Sequence, residues 1–166
     1  MHFLRLLIIL CTLVAGGTHA AGVALGDTAP DVELTKLPDD GSMVSLKSLR
    51  GEVVYLDFWA SWCGPCRLSF PQLEAMRTEL KPQGFEVFAI NVDEFADDAL
   101  GFLQELPVSY PVVHDATGAT PSEWGILGMP TGFLIDRKGI VRKIHTGYRK
   151  SDGAALRAEV LKLLEE

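Results

Sequence analysis

The sequence predicts an α/β fold with one mixed central sheet and helices on both faces. Three observations predict it. Short apolar runs rich in β-branched and aromatic residues alternate with stretches of helical periodicity. Hairpin signals bracket that alternation at both ends, so the expected order is a β-hairpin, a βαβ unit, then a β-hairpin and a closing helix. Finally, 166 residues without repeats, low-complexity tracts or linkers accommodate one domain with its own core and are short for two. With 48% hydrophobic and 22% charged residues, folding is expected nearly throughout.

Each element has a local reason. In "APDVELTKLPDDGSMVSLKSLRG", apolar and polar residues alternate on either side of "PDDG", where Pro38 and Gly41 suit a turn, so an N-terminal hairpin is expected. "EVVYLDFWA" is a short apolar run suited to a central strand covered on both faces, with Asp57 standing out inside it. From Gly64 to Leu80, the residues Leu68, Leu73, Met76 and Leu80 form a helical stripe in which Pro71 predicts a kink. "FEVFAINVD" reads as a second buried strand, and "DDALGFLQEL" as a short amphipathic helix ending before Pro107. "YPVVHD" is expected to be an edge strand, and "TPSEWGI" a short helix with Thr120 or Ser122 near its cap. "TGFLID-RKG-IVRKIHTG" predicts a hairpin turning at Lys138 and Gly139, and "DGAALRAEVLKLLEE" a helix with Leu156, Val160, Leu163 and Leu164 on one face.

A net charge of -7 with no Lys/Arg cluster excludes a nucleic-acid surface and points to protein partners. The first twenty residues, "MHFLRLLIILCTLVAGGTHA", have one basic residue, an apolar stretch from Leu6 to Ala15 and small residues at Thr18 and Ala20, the pattern of a secretory signal cleaved after Ala20. The stretch is short of the roughly 20 residues a spanning helix needs, and an uncleaved anchor is the alternative. Cleavage would remove Cys11 and leave a domain over residues 21–166 with two cysteines, Cys63 and Cys66, in a compartment where thiols tend to be oxidised. The periplasm is the expected location.

Cys63 and Cys66 lie in "DFWASWCGPCRLSFP", where a strand feeds a turn that opens a helix. A cysteine at a helix N-terminus meets unpaired backbone N–H groups and the positive end of the macrodipole, which stabilise a thiolate. Cys63 is therefore the expected nucleophile. Cys66, one helical turn on, can resolve a mixed disulfide formed at Cys63, and Gly64 and Pro65 permit the tight ring. A purely structural bridge would close too small a loop to stabilise much. A zinc site would have to recruit His114, His145 or carboxylates at no recognisable spacing, and haem attachment would want a histidine where Arg67 stands. Asp57, in an apolar strand, should be buried with a raised pKa. Trp59 and Trp124 suit the core, and Trp62, beside the nucleophile, suits contact with a substrate. His114 and His145 have no partner readable from the sequence, and "DEFADD" reads as a solvated helix start.

Together, "YLDFWASWCGPC", Pro71 and "GMPTGFLID" at Gly128 to Asp136 resemble the thioredoxin fold. The leader, the preamble from Gly26 and the insert around "FAINVDEFADDALGFLQEL" are similar to the exported TlpA-like and ResA-like thiol-disulfide oxidoreductases, which include cytochrome c maturation reductases; the resemblance covers residues 27 to 166. It implies a cis peptide bond at Pro130, after Met129, beside the cysteine pair. Met129, Pro130 and Thr131 would then pair with an extended substrate segment by β-augmentation, with Trp62, Gly64 and Pro65 beside it. Asp57 takes the place of the family's buried acid and would accept the Cys66 proton. The ResA-like pattern has an acid three positions after the second cysteine; Ser69 stands there instead.

The expected function is reduction of disulfides in exported proteins, such as apocytochrome c or copper-site cysteines, by a monomer. No cofactor is expected beyond the redox-active cysteines, and the electrons would come from a membrane thiol-disulfide donor. The Gly-Pro dipeptide between the cysteines resembles reducing members of the fold. Two alternatives are carried: a peroxiredoxin-like thiol peroxidase, whose usual threonine is replaced here by Ala60, and a non-catalytic partner-binding or metallochaperone module.

Overall fold

The computed structural model describes residues 22–166. The expected leader, its cleavage after Ala20 and Cys11 all lie outside the described residues. In chain order the elements are β1 (Glu33–Lys36), β2 (Met43–Ser45), β3 (Val53–Trp59), α1 (Cys66–Leu80), β4 (Phe85–Asn91), α2 (Ala96–Glu105), β5 (Val112–His114), α3 (Ala119–Trp124), β6 (Thr131–Ile135), β7 (Val141–Thr146) and α4 (Asp152–Leu164). Seven strands form one sheet in the order β2-β1-β5-β4-β3-β6-β7. Strands β3, β4 and β5 run parallel, and the flanking pairs are antiparallel, so this is the expected mixed α/β sheet of a thioredoxin-like fold with an N-terminal hairpin.

Period-two alternation in β3 divides the core. Val53, Tyr55 and Trp59 face a layer built with Phe70 and Leu73 of α1, Phe102 of α2 and Leu156 and Val160 of α4. Val54, Leu56 and Phe58 face the opposite layer, with Trp124 of α3, Phe133 of β6 and Leu46. Asp57 belongs by this alternation to the α1–α4 side. All seven β3 residues are buried, as are all seven of β4, which is what near-continuous apolar strands in a covered parallel pair require.

Four sequence expectations are corrected. "YPVVHD" does not form an edge: β1 pairs with β5 through Thr35–His114 and Lys36–Val113, so the hairpin extends the sheet and β2 becomes the edge. Neither Thr120 nor Ser122 caps α3. Asp115 does so from outside the helix, accepting hydrogen bonds from the N–H groups of Thr117, Gly118 and Thr120 at 2.7–3.1 Å. Leu68 is 46% exposed, and the buried stripe of α1 is instead Phe70, Leu73, Met76 and Leu80. The acidic run "DEFADD" is divided in use: Asp97 and Asp98 start α2, whereas Asp93 is buried. Helix α1 continues through Pro71, which sits in its second turn on the exposed side.

Candidate active site

Strand β3 ends at Trp59, and the chain turns through residues 60 to 65 before α1 begins at Cys66. Cys63 and Cys66 form a disulfide with their Cα atoms 5.3 Å apart. Cys63 therefore precedes the first helical residue instead of occupying it. The helix terminus still acts on it, because the Cys66 N–H donates to Cys63 Sγ at 3.2 Å. An otherwise orphaned helix N–H and the positive end of the dipole are thus aimed at that sulfur. Pro65, with φ −61° and ψ −26°, pre-sets the helix start, and Arg67 N–H closes the turn on Gly64 O at 3.1 Å.

The two sulfurs differ in surroundings. Cys66 is fully buried and Cys63 is 3% exposed, bordered by an exposed Trp62, at 70%, and by exposed Gly64 and Pro65. Trp59 lies beneath, its ring 4.7 Å from Phe70 and 4.8 Å from Phe102. Arg67 rests over Phe102 at 5.0 Å and pairs with Glu105 at 2.8 Å, joining α1 to α2 beside the disulfide. Ser69, at the position of the family's additional acid, donates its hydroxyl to Cys66 O at 3.1 Å and is buried.

Asp57 is 1% exposed, and neither carboxylate oxygen has a hydrogen-bond partner among the described residues. Burial without compensation disfavours the charged form and pushes its pKa up to about 8. At neutral pH the group is mostly a neutral acid. Across the sheet Asp57 lies opposite Ala89 on β4 and Gly132 on β6.

Strand β6 begins at Thr131, directly after a cis Met129–Pro130 peptide, so the expected cis bond is present. Thr131 Oγ1 donates to Gly128 O at 2.7 Å, and Gly147 N–H donates to Pro130 O at 2.8 Å, which together fix the loop. Met129 is half-buried and packs against the core layer that holds both cysteines. Its own N–H and C=O make no hydrogen bond among the described residues.

One residue that positions the site escaped the sequence reading. Asp93 Oδ2 accepts from Ser61 N–H at 2.9 Å and from Asn91 Nδ2 at 2.8 Å, while Oδ1 accepts from the Ser61 hydroxyl at 3.0 Å. This holds the turn that carries Cys63 against the end of β4. His114, which had no readable partner, places Nε2 2.8 Å from Asp93 O, and His145 reaches Asp152 of α4 at 3.3 Å. The signal for Asp93 was its place two residues beyond a buried strand, obscured by the acidic residues that follow.

Known proteins share this arrangement. The family profile described as Redoxin matches residues 24–160. The thiol-disulfide oxidoreductase ResA of Geobacillus thermodenitrificans is 33% identical over 167 residues, 96% of this chain and 95% of that protein. ResA of Bacillus subtilis is 32% identical over 149 residues, 86% of this chain and 81% of that protein. A crystal structure from Chlorobium tepidum, assigned as a thiol:disulfide interchange protein DsbE, superposes with a TM-score of 0.82 at 45% identity, covering 86% of this chain and 99% of that one. A disulfide at the head of α1, a thioredoxin-like sheet behind it and relatives along nearly the whole length give one conclusion: the chain belongs to the Redoxin family, as a thiol-disulfide oxidoreductase of the ResA and DsbE type.

Proposed function

We propose that the protein is exported to the periplasm and reduces disulfides of exported proteins there, with Cys63 as the nucleophile. In the dithiol state the Cys63 thiolate attacks a substrate disulfide, forming a mixed disulfide and expelling one substrate thiolate. Cys66 then attacks Cys63 Sγ, releases the second substrate thiolate and restores the Cys63–Cys66 bond, so two electrons pass from enzyme to substrate. The two cysteines are the only redox group this cycle uses. A membrane thiol-disulfide donor returns the electrons, and apocytochrome c or copper-site cysteines are the proposed targets.

Asp57 serves the buried sulfur. When Cys66 attacks, its thiol proton passes to an Asp57 carboxylate; when a donor thiolate reopens the disulfide, neutral Asp57 returns a proton to the departing Cys66. The unpaired backbone of Met129, with Pro130 and Thr131 behind it, holds an extended substrate segment by strand addition, and Trp62, Gly64 and Pro65 provide the opposite wall. The observation that carries this reading is the difference between the cysteines: the helix N–H is aimed at Cys63, which borders the exposed rim, while Cys66 is sealed against the core.

Insulin reduction driven by dithiothreitol tests the assignment. The parent protein accelerates it, and Cys63→Ser abolishes the acceleration, whereas Cys66→Ser accumulates mixed disulfides because nothing adjacent releases them. Periplasmic proteins in those trapped species support the proposed location and targets. Undiminished insulin reduction by Cys63→Ser would overturn the role of that sulfur, and peroxide consumption without insulin reduction would favour a thiol peroxidase.

A further inference from the structure

We infer that Phe95 and Leu127 set the substrate specificity of the redox site, and that the site takes an extended segment with apolar residues beside its cysteine, basic residues on the flank that passes α2 and acidic residues on the other. This rests on the disulfide reduction proposed above and names the class of segment reduced. Among the described residues six large apolar side chains are exposed: Leu25, Met43, Trp62, Leu68, Phe95 and Leu127. Met43 lies on the edge strand β2, and Leu25 lies beside the start of β7, where Gly26 N–H donates to Val141 O at 2.8 Å. The other four are carried by segments that meet at the disulfide.

The sheet brings those segments together. Strands β3 and β4 run parallel, β6 runs antiparallel to β3, and β7 antiparallel to β6, so the ends of β3, β4 and β7 and the start of β6 share one end of the sheet. Trp62 stands next to Cys63 after β3, and Leu68 lies in the first turn of α1. Phe95 follows β4 two residues after Asp93, whose bond from Ser61 N–H ties this loop to the redox turn. Leu127 precedes β6, two residues before Met129 and the cis peptide. Phe95 is 63% exposed and Leu127 100%. Exposed apolar side chains gathered around one site mark a place that another apolar surface covers.

Phe95 also breaks a local rule. It is the N-cap of α2, where Ser, Thr, Asp or Asn would accept an orphan helix N–H, and its side chain makes no such bond. The helix forgoes a cap, and the phenyl ring gains no burial in return. A residue with no compensation inside the fold is accounted for by contact outside it.

Charge fixes the chemistry of the occupant. Glu94, Asp97 and Asp98 surround Phe95, all exposed and all without an ion pair among the described residues. Arg67, the cation at the neighbouring helix start, is already taken by Glu105 at 2.8 Å. Across the site Gly147 N–H donates to Pro130 O at 2.8 Å, and exposed Arg149 and Lys150 follow it, their side chains also unpaired among the described residues. Negative charge therefore borders the disulfide on the β4 side and positive charge on the β7 side. A segment of opposite polarity is steered into register between them.

Peptides with one cysteine, held as a mixed disulfide with β-mercaptoethanol, test the assignment on the reduced full chain. Cys63 attacks the peptide sulfur and expels β-mercaptoethanol; Cys66 then releases the peptide thiol, so the two electrons of the dithiol leave two free thiols and a closed Cys63–Cys66 bond. Phe and Leu beside the peptide cysteine are expected to raise kcat/KM about tenfold over Ser at the same places, chiefly through KM. In the double variant Phe95→Ser, Leu127→Ser that preference is expected to fall to about twofold. Phe95→Ser alone supplies the missing cap and is expected to raise the urea midpoint while weakening the preference, a pairing that a structural role would not give. Of two apolar peptides with lysines and glutamates on opposite flanks in the two orders, one is expected to be preferred about tenfold at low salt. Glu94→Gln, Asp97→Asn and Asp98→Asn together are expected to reduce this to about threefold, and added salt to erase it.

Equal kcat/KM for the apolar and serine peptides, or parent-like preferences in the folded variants, would overturn the assignment. So would a dimer, seen by sedimentation, that the Phe95 and Leu127 substitutions dissolve, because a second copy would then be the occupant. Reduction of hydroxyethyl disulfide by the parent and not by Cys63→Ser separates this specificity from the reaction itself. If that reduction occurs without any peptide preference, the specificity alone falls; if it does not occur, the reductase cycle falls with it.

Discussion

Asp57 and Asp93 flank the turn that carries the disulfide, one within β3 and the other two residues beyond β4. They are 1% and 3% exposed, so burial does not separate them. Partners do. Asp93 accepts three hydrogen bonds, two from Ser61 and one from Asn91, whereas Asp57 accepts none among the described residues. A buried carboxylate that is fully bonded fixes geometry, while one left bare is biased toward protonation and becomes available for proton transfer. Glu86 follows the first pattern, held at 2.8 Å by Arg77 and at 3.4 Å by Lys81. On the proposal that Asp57 transfers the proton, the difference teaches that hydrogen-bond supply and not residue type divides structural acids from chemical ones around this turn.

Asp57→Asn gives the largest expected effect on stability. Its folded pKa is raised from 3.8 to about 8, so the folded chain retains a proton that the unfolded chain releases. The favourable contribution is complete below about pH 4, declines as the pH rises toward 8 and is constant above it. At pH 7 the loss is on the order of 4 kcal/mol. The asparagine variant carries no such dependence and is expected to be more stable than the parent by about that amount at pH 7, with the difference vanishing near pH 3.5. Urea unfolding midpoints at the two pH values measure it. A difference unchanged with pH would mean that Asp57 has a partner in solution, and the contrast with Asp93 would break.

Asp93→Ala is expected to do the opposite, lowering stability by about 3 kcal/mol, because Ser61 N–H and Asn91 Nδ2 lose their acceptor in a buried place. Asp93→Asn sharpens the point. Its remaining oxygen serves the same two donors and the Ser61 hydroxyl can turn to accept, so most of the stability is expected to remain. The same urea experiment separates the two variants, and equal losses would show that charge and not hydrogen bonding matters at this position.

Much of this contrast was legible in the sequence. Asp57 stood out because seven residues of "VVYLDFW" admit no exposed position, and Cys63 and Cys66 were marked by a strand opening into a helix. Asp93 was hidden because its function depends on a partner thirty-two residues away, and neighbouring acids made it look solvated. The same distance problem made β5 resemble an edge strand: nothing local in "YPVVHD" shows that β1, some eighty residues earlier, pairs with it. Asp115 was missed as the cap of α3 because it lies outside the helix and reaches forward over a turn, where Thr120 and Ser122 are nearer but unused. The stripe on α1 was misassigned at Leu68 because the first turn faces the disulfide rim, where apolar residues are exposed. Local alternation and caps are readable; pairings between distant segments require the fold.

The smallest effect isolates one bond of the Asp93 network. Ser61→Ala removes the hydroxyl that donates to Asp93 Oδ1 at 3.0 Å and leaves the backbone N–H bond to Oδ2 intact. The expected loss is about 1 kcal/mol, the usual net worth of one hydrogen bond. Because the backbone bond still holds the turn, the rate of disulfide reduction by dithiothreitol is expected to stay within about twofold of the parent, since a 1 kcal/mol loss spread over the whole fold leaves the helix N–H aimed at Cys63. A loss in rate much larger than the loss in stability would assign the Ser61 hydroxyl to the chemistry, and Asp93 could then no longer stand as the purely structural member of the pair.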